Sequence, residues 1–158
     1  MIYIVLIISL LLECVISNLI DLNSIFIPLF LLISLIVVYP YLKKDIEKYL
    51  IICTVSGLIY DISFYNSTFI NTISFFIIGL LVILLYKNLN SNILNLVLKV
   101  IIIVTMYRII SFSMLCIIGY IDFNLTLLFR SIYSSYIINI IYIILLYLIL
   151  FKIKKIKV

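Results

Sequence analysis

The chain has 158 residues, of which 68% are hydrophobic and only 11% are charged, and its formal net charge is +5. Soluble domains are roughly 45–50% apolar and about 25% charged, so this composition excludes a soluble globular protein and indicates an integral membrane protein. Most basic residues are lysines in predicted loops and in the tail, a pattern typical of membrane orientation and not of nucleic-acid binding. We predict a single integral membrane domain over residues 1–158.

The chain begins with two apolar segments joined by a tight turn. Residues 2–20 are long enough to cross a bilayer at 1.5 Å per residue, and no cleavage pattern follows them, so we predict a retained helix. The second segment covers residues 25–39. Pro28 stands in its first turn, where a missing N–H is harmless, and Pro40 is expected to end it.

Four further apolar segments follow the most charged loop of the chain. The third, residues 49–60, is short for a full span, so it is tilted, begins inside the charged loop, or continues past Asp61. The others cover residues 69–86, 96–120 and 131–151, with a loop at residues 121–130 before the last. The sequence therefore predicts an all-α bundle of about six transmembrane helices.

The placement of lysines predicts the orientation of this bundle. With six spans and a cytoplasmic Lys-rich tail, the N-terminus is cytoplasmic too, and the loops holding Lys43, Lys44, Lys48 and Lys87 lie on the same side. Among the basic loop residues, only Arg130 then lies outside, alongside Asp21, Asp61 and Asp122. A five-span model places either the first charged loop or the tail outside, so we expect a multi-pass membrane protein with both termini in the cytoplasm.

Two charged residues fall well inside predicted spans, Glu13 in the first and Arg108 in the fifth. Each costs about 2.5–3.5 kcal/mol on insertion scales, so such residues usually face the bundle interior and find partners. Hydroxyl residues one turn away on either side place both charges on polar stripes. One hypothesis is that Glu13 and Arg108 pair directly; the alternative is that each pairs with hydroxyls, carbonyls or the helix of a partner protein.

Asp61 ends the stretch Gly57-Leu58-Ile59-Tyr60-Asp61 and has two interpretations. It either caps a helix end at the membrane interface or belongs to a functional motif. Gly57 and Cys53 form a small helix surface that allows close approach of a neighbouring helix, and Gly79 supplies a second such point on the next segment.

No enzyme or cofactor site emerges from the residues. The chain has no histidine, its three cysteines lie in different apolar segments, and it lacks paired carboxylates on one face, a nucleophile elbow and a phosphate loop. We expect no catalytic activity, no metal and no cofactor. In the sixth segment Asn139 lies on a polar face that begins near Arg130, and such faces usually pack against protein.

These features together resemble the family of the bacterial rod shape-determining protein MreD. The resemblance rests on Gly57 to Asp61 with a polar gap after it, on Gly79 ahead of a basic loop, on Glu13, and on Arg130 with Asn139 in the last span. Two features depart from the family pattern. The glycine that often follows the polar gap is replaced around residues 69–71, and Arg108 lies where members more often carry other residues.

The resemblance implies a non-enzymatic scaffold of the cell-elongation machinery, with a fold like the six-helix substrate-binding subunits of energy-coupling-factor vitamin transporters. Its implied partners are an MreC-like single-span protein, with MreB filaments, the glycosyltransferase RodA and a penicillin-binding protein nearby, besides membrane lipid. Structural or partner-contact candidates are Gly57, Tyr60, Asp61, Gly79, Glu13, Arg108, Arg130 and Asn139. The resemblance also implies a location in the bacterial cytoplasmic membrane. The alternative function is a substrate-binding subunit of a vitamin transporter, which would need a roomy polar pocket near the outer face.

Overall fold

Six α-helices account for most of the part of the chain that the computed structural model describes, namely residues 2–19, 28–65, 69–89 and 92–154. A short π-helix, Asp61–Tyr65, extends the third of them. The helices are α1 (Ile2–Leu19), α2 (Phe30–Leu42), α3 (Ile46–Tyr60), α4 (Ile70–Asn88), α5 (Ile93–Ile118) and α6 (Leu125–Lys154).

Among the described residues, three helices are long and apolar enough to cross a membrane: Ile70–Asn88, Ile93–Ile118 and Leu125–Ile149. Two further apolar helices, Ile2–Asn18 and Phe30–Leu42, are shorter. The all-α membrane class is therefore confirmed, while the number of spans stays a prediction.

The short helix α2 forms the centre of the bundle. It packs against α1, α3, α4, α5 and α6, and its side chains are buried on all faces, as expected of a helix that is hydrophobic all round. Its 13 residues extend only about 20 Å, against about 30 Å for the hydrocarbon layer. Leu29 and Phe30 are only 1% and 3% exposed, so the N-terminal end of α2 is enclosed by protein. Its first backbone N–H groups need partners there.

The two prolines act differently from the prediction. Pro28 precedes α2, which begins at Phe30, and Pro40 lies inside α2, which continues to Leu42. A proline at position 40 cannot donate to the carbonyl of Ile36, four residues earlier. The hydroxyl of Tyr86 donates to that carbonyl instead, at 2.9 Å, so a neighbouring helix compensates for the lost bond.

The third segment resolves two of the alternatives left open by its short length. Helix α3 begins inside the charged loop, at Ile46, and the helical path continues past Asp61 through the π-helix. Its bounds are therefore wider than the predicted 49–60.

The predicted loop at residues 121–130 is too long. Helix α6 begins at Leu125, because the side chain of Asn124 caps it by accepting a hydrogen bond from the Thr126 backbone N–H at 2.9 Å. Helix α5 likewise begins three residues earlier than predicted, and it ends where Gly119 takes a left-handed conformation with φ of 82°.

Candidate functional site: two capped helix ends inside the bundle

Asp61 holds the N-terminus of α4. Its side chain is 4% exposed, and each carboxylate oxygen accepts two hydrogen bonds. Oδ1 accepts from the backbone N–H and side-chain amide of Asn71, at 3.0 and 2.9 Å. Oδ2 accepts from the backbone N–H and hydroxyl of Thr72, at 2.9 and 2.7 Å. The residue before α4, Phe69, provides no side-chain cap, so Asp61 caps this helix from outside it.

Gly57 allows α3 to lie against the same end of α4. A β-carbon added to Gly57 would stand 2.7 Å from the Asn71 carbonyl oxygen and 2.7 Å from the Thr72 α-carbon, both of which are backbone atoms. One carbon atom would therefore push apart the two helices that Asp61 joins.

Gly79 makes the second close contact between α3 and α4. A β-carbon there would stand 3.0 Å from the sulfur of Cys53 and 3.2 Å from a terminal carbon of Leu50. The small residues Gly57, Cys53 and Gly79 thus lie along one α3–α4 seam.

Glu13 performs for α2 what Asp61 performs for α4. Its side chain is fully buried, and Oε2 accepts a hydrogen bond from the Leu31 backbone N–H at 2.9 Å. Asn139, also fully buried, accepts from the Leu29 backbone N–H at 2.9 Å through Oδ1. Two side chains from α1 and α6 therefore satisfy the enclosed N-terminal end of α2, which no side chain of its own caps.

The two capping carboxylates, Glu13 and Asp61, are connected through Tyr60. The Tyr60 hydroxyl donates to Oε1 of Glu13 at 2.8 Å, and the next residue is Asp61. On the other side, the Tyr107 hydroxyl donates to Oδ1 of Asn71 at 2.7 Å. A continuous set of polar contacts therefore connects α1, α3, α4 and α5 through the end of α3.

Arg108 does not pair directly with Glu13, so the direct-pair hypothesis is wrong. Its Nε donates to the Ser135 hydroxyl oxygen at 2.8 Å, and the hydrogen bonds of Glu13 go to backbone N–H groups and Tyr60. The Nη2 atom of Arg108 is buried without a hydrogen-bond partner in the described structure. The reason is geometric: the carboxylate is already engaged by the end of α2 and by Tyr60, and the arginine lies against α6.

Ser9, on the same polar stripe as Glu13, and Arg130 lie apart from each other. The Ser9 hydroxyl hydrogen-bonds to the hydroxyl of Tyr142 at 2.7 Å and joins α1 to α6. Arg130 is exposed in the second turn of α6 and does not open that helix. It belongs to none of the contacts around Glu13 and Asp61.

Lys99 is a structural residue that the sequence reasoning missed. It is fully buried near the start of α5, donates to the Leu89 carbonyl at 3.1 Å, and lies 3.3 Å above the ring centroid of Tyr86. It thereby stabilises the C-terminal end of α4 by a charge-assisted hydrogen bond and a cation–π contact. Its position three residues inside the predicted fifth segment was the available signal.

Among the residues that the structure describes, no group of histidine, cysteine or acidic side chains could hold a metal ion. The three cysteines are free. Many of the described hydroxyl side chains donate to backbone carbonyls one turn earlier in their own helices.

Comparison with known proteins gives the family. A family model described as rod shape-determining protein MreD matches residues 1–156, which is essentially the whole chain. No curated protein and no solved structure gives a significant match. The match extends over all six helices, including both capped helix ends and the stretch from Gly57 to Asp61. The chain therefore belongs to the MreD family of rod shape-determining membrane proteins.

Proposed function

We propose that this protein is a non-enzymatic scaffold of the bacterial cell-elongation machinery, which helps to control lateral peptidoglycan synthesis by holding other membrane proteins. Its direct partner in this proposal is an MreC-like single-span protein. MreB filaments, RodA and a penicillin-binding protein are further members of the assembly. The family match over residues 1–156 carries the proposal.

The use of the buried polar groups supports a scaffold over an enzyme. The two buried carboxylates, Glu13 and Asp61, accept hydrogen bonds from helix N-termini and from neighbouring side chains. A general acid or base must be free to reach a substrate, whereas these groups are committed to holding helices in place. Such an arrangement suits a rigid platform whose surface contacts partners.

The proposed topology is six spans with both termini in the cytoplasm, in a fold like the substrate-binding subunits of energy-coupling-factor transporters. The charged loop between α2 and α3 then faces the cytoplasm, and Asp122 faces outside. Single cysteines at positions 44 and 122, in a variant without the native cysteines, test this arrangement. A membrane-impermeant thiol reagent added to intact cells should label position 122 and leave position 44 unlabelled until the cells are opened.

Co-purification tests the scaffold function. Tagged protein is isolated from native membranes in mild detergent, and the proteins recovered with it are identified by mass spectrometry. Recovery of an MreC-like protein, and its loss in a Gly57→Leu variant but not in Asp122→Asn, is the expected result. Recovery of a transporter coupling subunit and ATPases in its place would overturn the proposal.

One observation favours the alternative of a vitamin-binding subunit. The Nη2 atom of Arg108 is a buried donor without a partner in the described structure, and a ligand oxygen could accept from it. Native mass spectrometry of the purified protein distinguishes the two functions. A bound small molecule that is lost in Arg108→Gln supports the alternative, and a ligand-free mass supports the scaffold.

A further inference from the structure

The hairpin formed by α5 and α6 extends past the ends of the helices beside it. The Tyr107 hydroxyl bonds to Asn71 at the start of α4, and α5 continues about 16 Å further, to Ile118. Asn139 bonds to the backbone just before α2, and α6 begins about 21 Å beyond Asn139. None of the residues from 113 to 131 is buried. We call residues 113–131 the hairpin tip.

In the proposed topology, the hairpin tip stands outside the hydrocarbon layer. Lys87 in the last turn of α4 and Lys152 near the end of α6 mark the cytoplasmic edge of this layer. The distance along α6 from Lys152 to its first residue is about 40 Å. The path from Lys87 along α4 to Asn71, and from Tyr107 along α5 to its last residue, also gives about 40 Å.

These lengths exceed the thickness of the membrane interior. The hydrocarbon layer is about 30 Å thick, and the headgroups add about 5–7 Å on each side. The hairpin tip therefore reaches about 10 Å past the outer edge of the hydrocarbon, just beyond the headgroups. Acyl chains cannot cover side chains at that height.

The hairpin tip is apolar although it lies outside the acyl chains. Ile117, Tyr120, Phe123, Leu125 and Phe129 are each more than half exposed, and Ile117 is 84% exposed. The aromatic belt of membrane proteins consists of tyrosine and tryptophan, so it accounts for the tyrosine and not for the isoleucine, leucine and phenylalanines. A concentration of exposed apolar side chains in this place indicates a contact with another protein.

A partner that crosses the membrane once suits the hairpin tip better than a second copy of this chain. Two copies that met tip to tip would share only residues 113–131 of each, fewer than the roughly 20–30 residues that a specific interface uses on each side. A single-span partner beside the hairpin can continue the contact from the tip into its membrane span. Asp122 and Arg130 are the only charged residues of the tip, and such a low charge is typical of the core of an interface.

We propose that the hairpin tip binds the extracytoplasmic segment of a single-span partner through an apolar face of that segment. The assignment rests on the proposed scaffold function, in which the direct partner crosses the membrane once. It adds the surface on this chain, the side of the membrane on which the contact lies, and the apolar character of the facing segment.

Site-specific photo-crosslinking tests the assignment directly. Benzoylphenylalanine is placed at Phe123 in the full-length protein, which is co-expressed with the MreC-like protein and irradiated in native membranes. The matched control carries the same residue at Leu94, which is 79% exposed at the opposite end of α5. We expect an adduct of the two proteins from position 123 and none from position 94.

A charge at the hairpin tip gives a second test. Ile117→Glu places a carboxylate in the apolar contact and should lower the recovered partner by about tenfold or more, as expected for a central interface residue. Leu94→Glu introduces the same charge at a similarly exposed position and should leave recovery unchanged. Asp122→Asn should also leave it unchanged, because the contact is apolar. Both glutamate variants should keep the thermal unfolding midpoint of the wild type, because the replaced side chains are 84% and 79% exposed.

The outcomes separate this assignment from the proposed function. Adducts at position 123 with lipid alone or with a second copy of this chain would overturn the assignment, and so would full recovery of the partner by Ile117→Glu. Co-purification of the wild-type pair would still support the scaffold in those cases. If the wild-type protein does not recover the single-span protein at all, the scaffold function and the assignment of the hairpin tip fall together.

Discussion

Removal of the Asp61 carboxylate should detach the N-terminus of α4 from α3. The Asp61→Ala substitution leaves four donors of Asn71 and Thr72 without their acceptor, and these lie in a largely buried site. A lost N-cap costs about 0.5–2 kcal/mol, and buried donors without partners add about 1–3 kcal/mol. We expect the free energy of unfolding to fall by about 3 kcal/mol, and by about half of that in Asp61→Asn, which keeps one acceptor oxygen.

The buried thiol of Cys53 reports on this change, because it packs against Gly79 in the α3–α4 seam. In a protein whose other two cysteines are replaced by serine, a thiol-reactive dye should label Cys53 at a temperature lower by about 6–12 °C, at 2–4 °C per kcal/mol for a chain of this size. Asp122→Asn, which removes the same charge from an exposed position, should leave the midpoint unchanged. A midpoint for Asp61→Ala equal to that of the wild type would refute the capping argument.

Three further substitutions test the other contacts by the same thermal measurement. Gly57→Ala should lower the free energy of unfolding by about 1–3 kcal/mol, because the new β-carbon meets backbone atoms of α4 at 2.7 Å. Gly79→Ala should lower it less, because the new β-carbon there meets side-chain atoms that can move. Equal losses in the two variants would contradict the close-approach argument. Glu13→Ala should lower the free energy of unfolding by about 2 kcal/mol more than Glu13→Gln, because a glutamine can still accept a hydrogen bond from the N-terminal end of α2. Equal effects of the two substitutions would argue against the cap. Phe69→Gly should raise the thermal midpoint, because Phe69 has a φ of 48° and the left-handed conformation costs a residue with a β-carbon about 1–2 kcal/mol. An unchanged or lower midpoint would show that this strain is absent.

The structure explains why the stretch from Gly57 to Asp61 has its composition. Gly57 lets the backbone of α4 approach, Tyr60 donates to the carboxylate that caps α2, and Asp61 caps α4. Leu58 and Ile59 are 39% and 40% exposed and face outward. The stretch therefore combines one close contact, one helix cap and one hydrogen bond to the cap of another helix within five residues, and a substitution in it affects how three helices are placed.

The stretch also suggests how partner-contact experiments at Asp61 should be interpreted. Its carboxylate is 4% exposed and already accepts four hydrogen bonds, so a partner cannot reach it without displacing the end of α4. Loss of a partner in an Asp61 variant would thus reflect movement of α4 and not a lost direct contact.

The pairing of the intramembrane charges shows where sequence reasoning stopped. Helical spacing placed Glu13 and Arg108 on polar stripes, and Glu13 is buried as that spacing implied. Spacing does not say which helix end stands opposite a stripe, so the direct pair was a reasonable hypothesis. Helical spacing also could not reveal that α2 begins inside the bundle, where its backbone N–H groups donate to the Glu13 carboxylate.

Hydrophobic runs and local residue chemistry are enough to predict the membrane class, the approximate positions of the helices, and the importance of the small and acidic residues at the end of α3. The contacts of each polar group depend instead on how the helices pack. Tyr86 bonds to the carbonyl that Pro40 leaves free, Lys99 stabilises the end of α4, and Asn139 binds the backbone at Leu29. Inside a membrane a polar group must find its partner within the protein, and that partner depends on which helices meet, over separations of 10 to 133 residues along the chain.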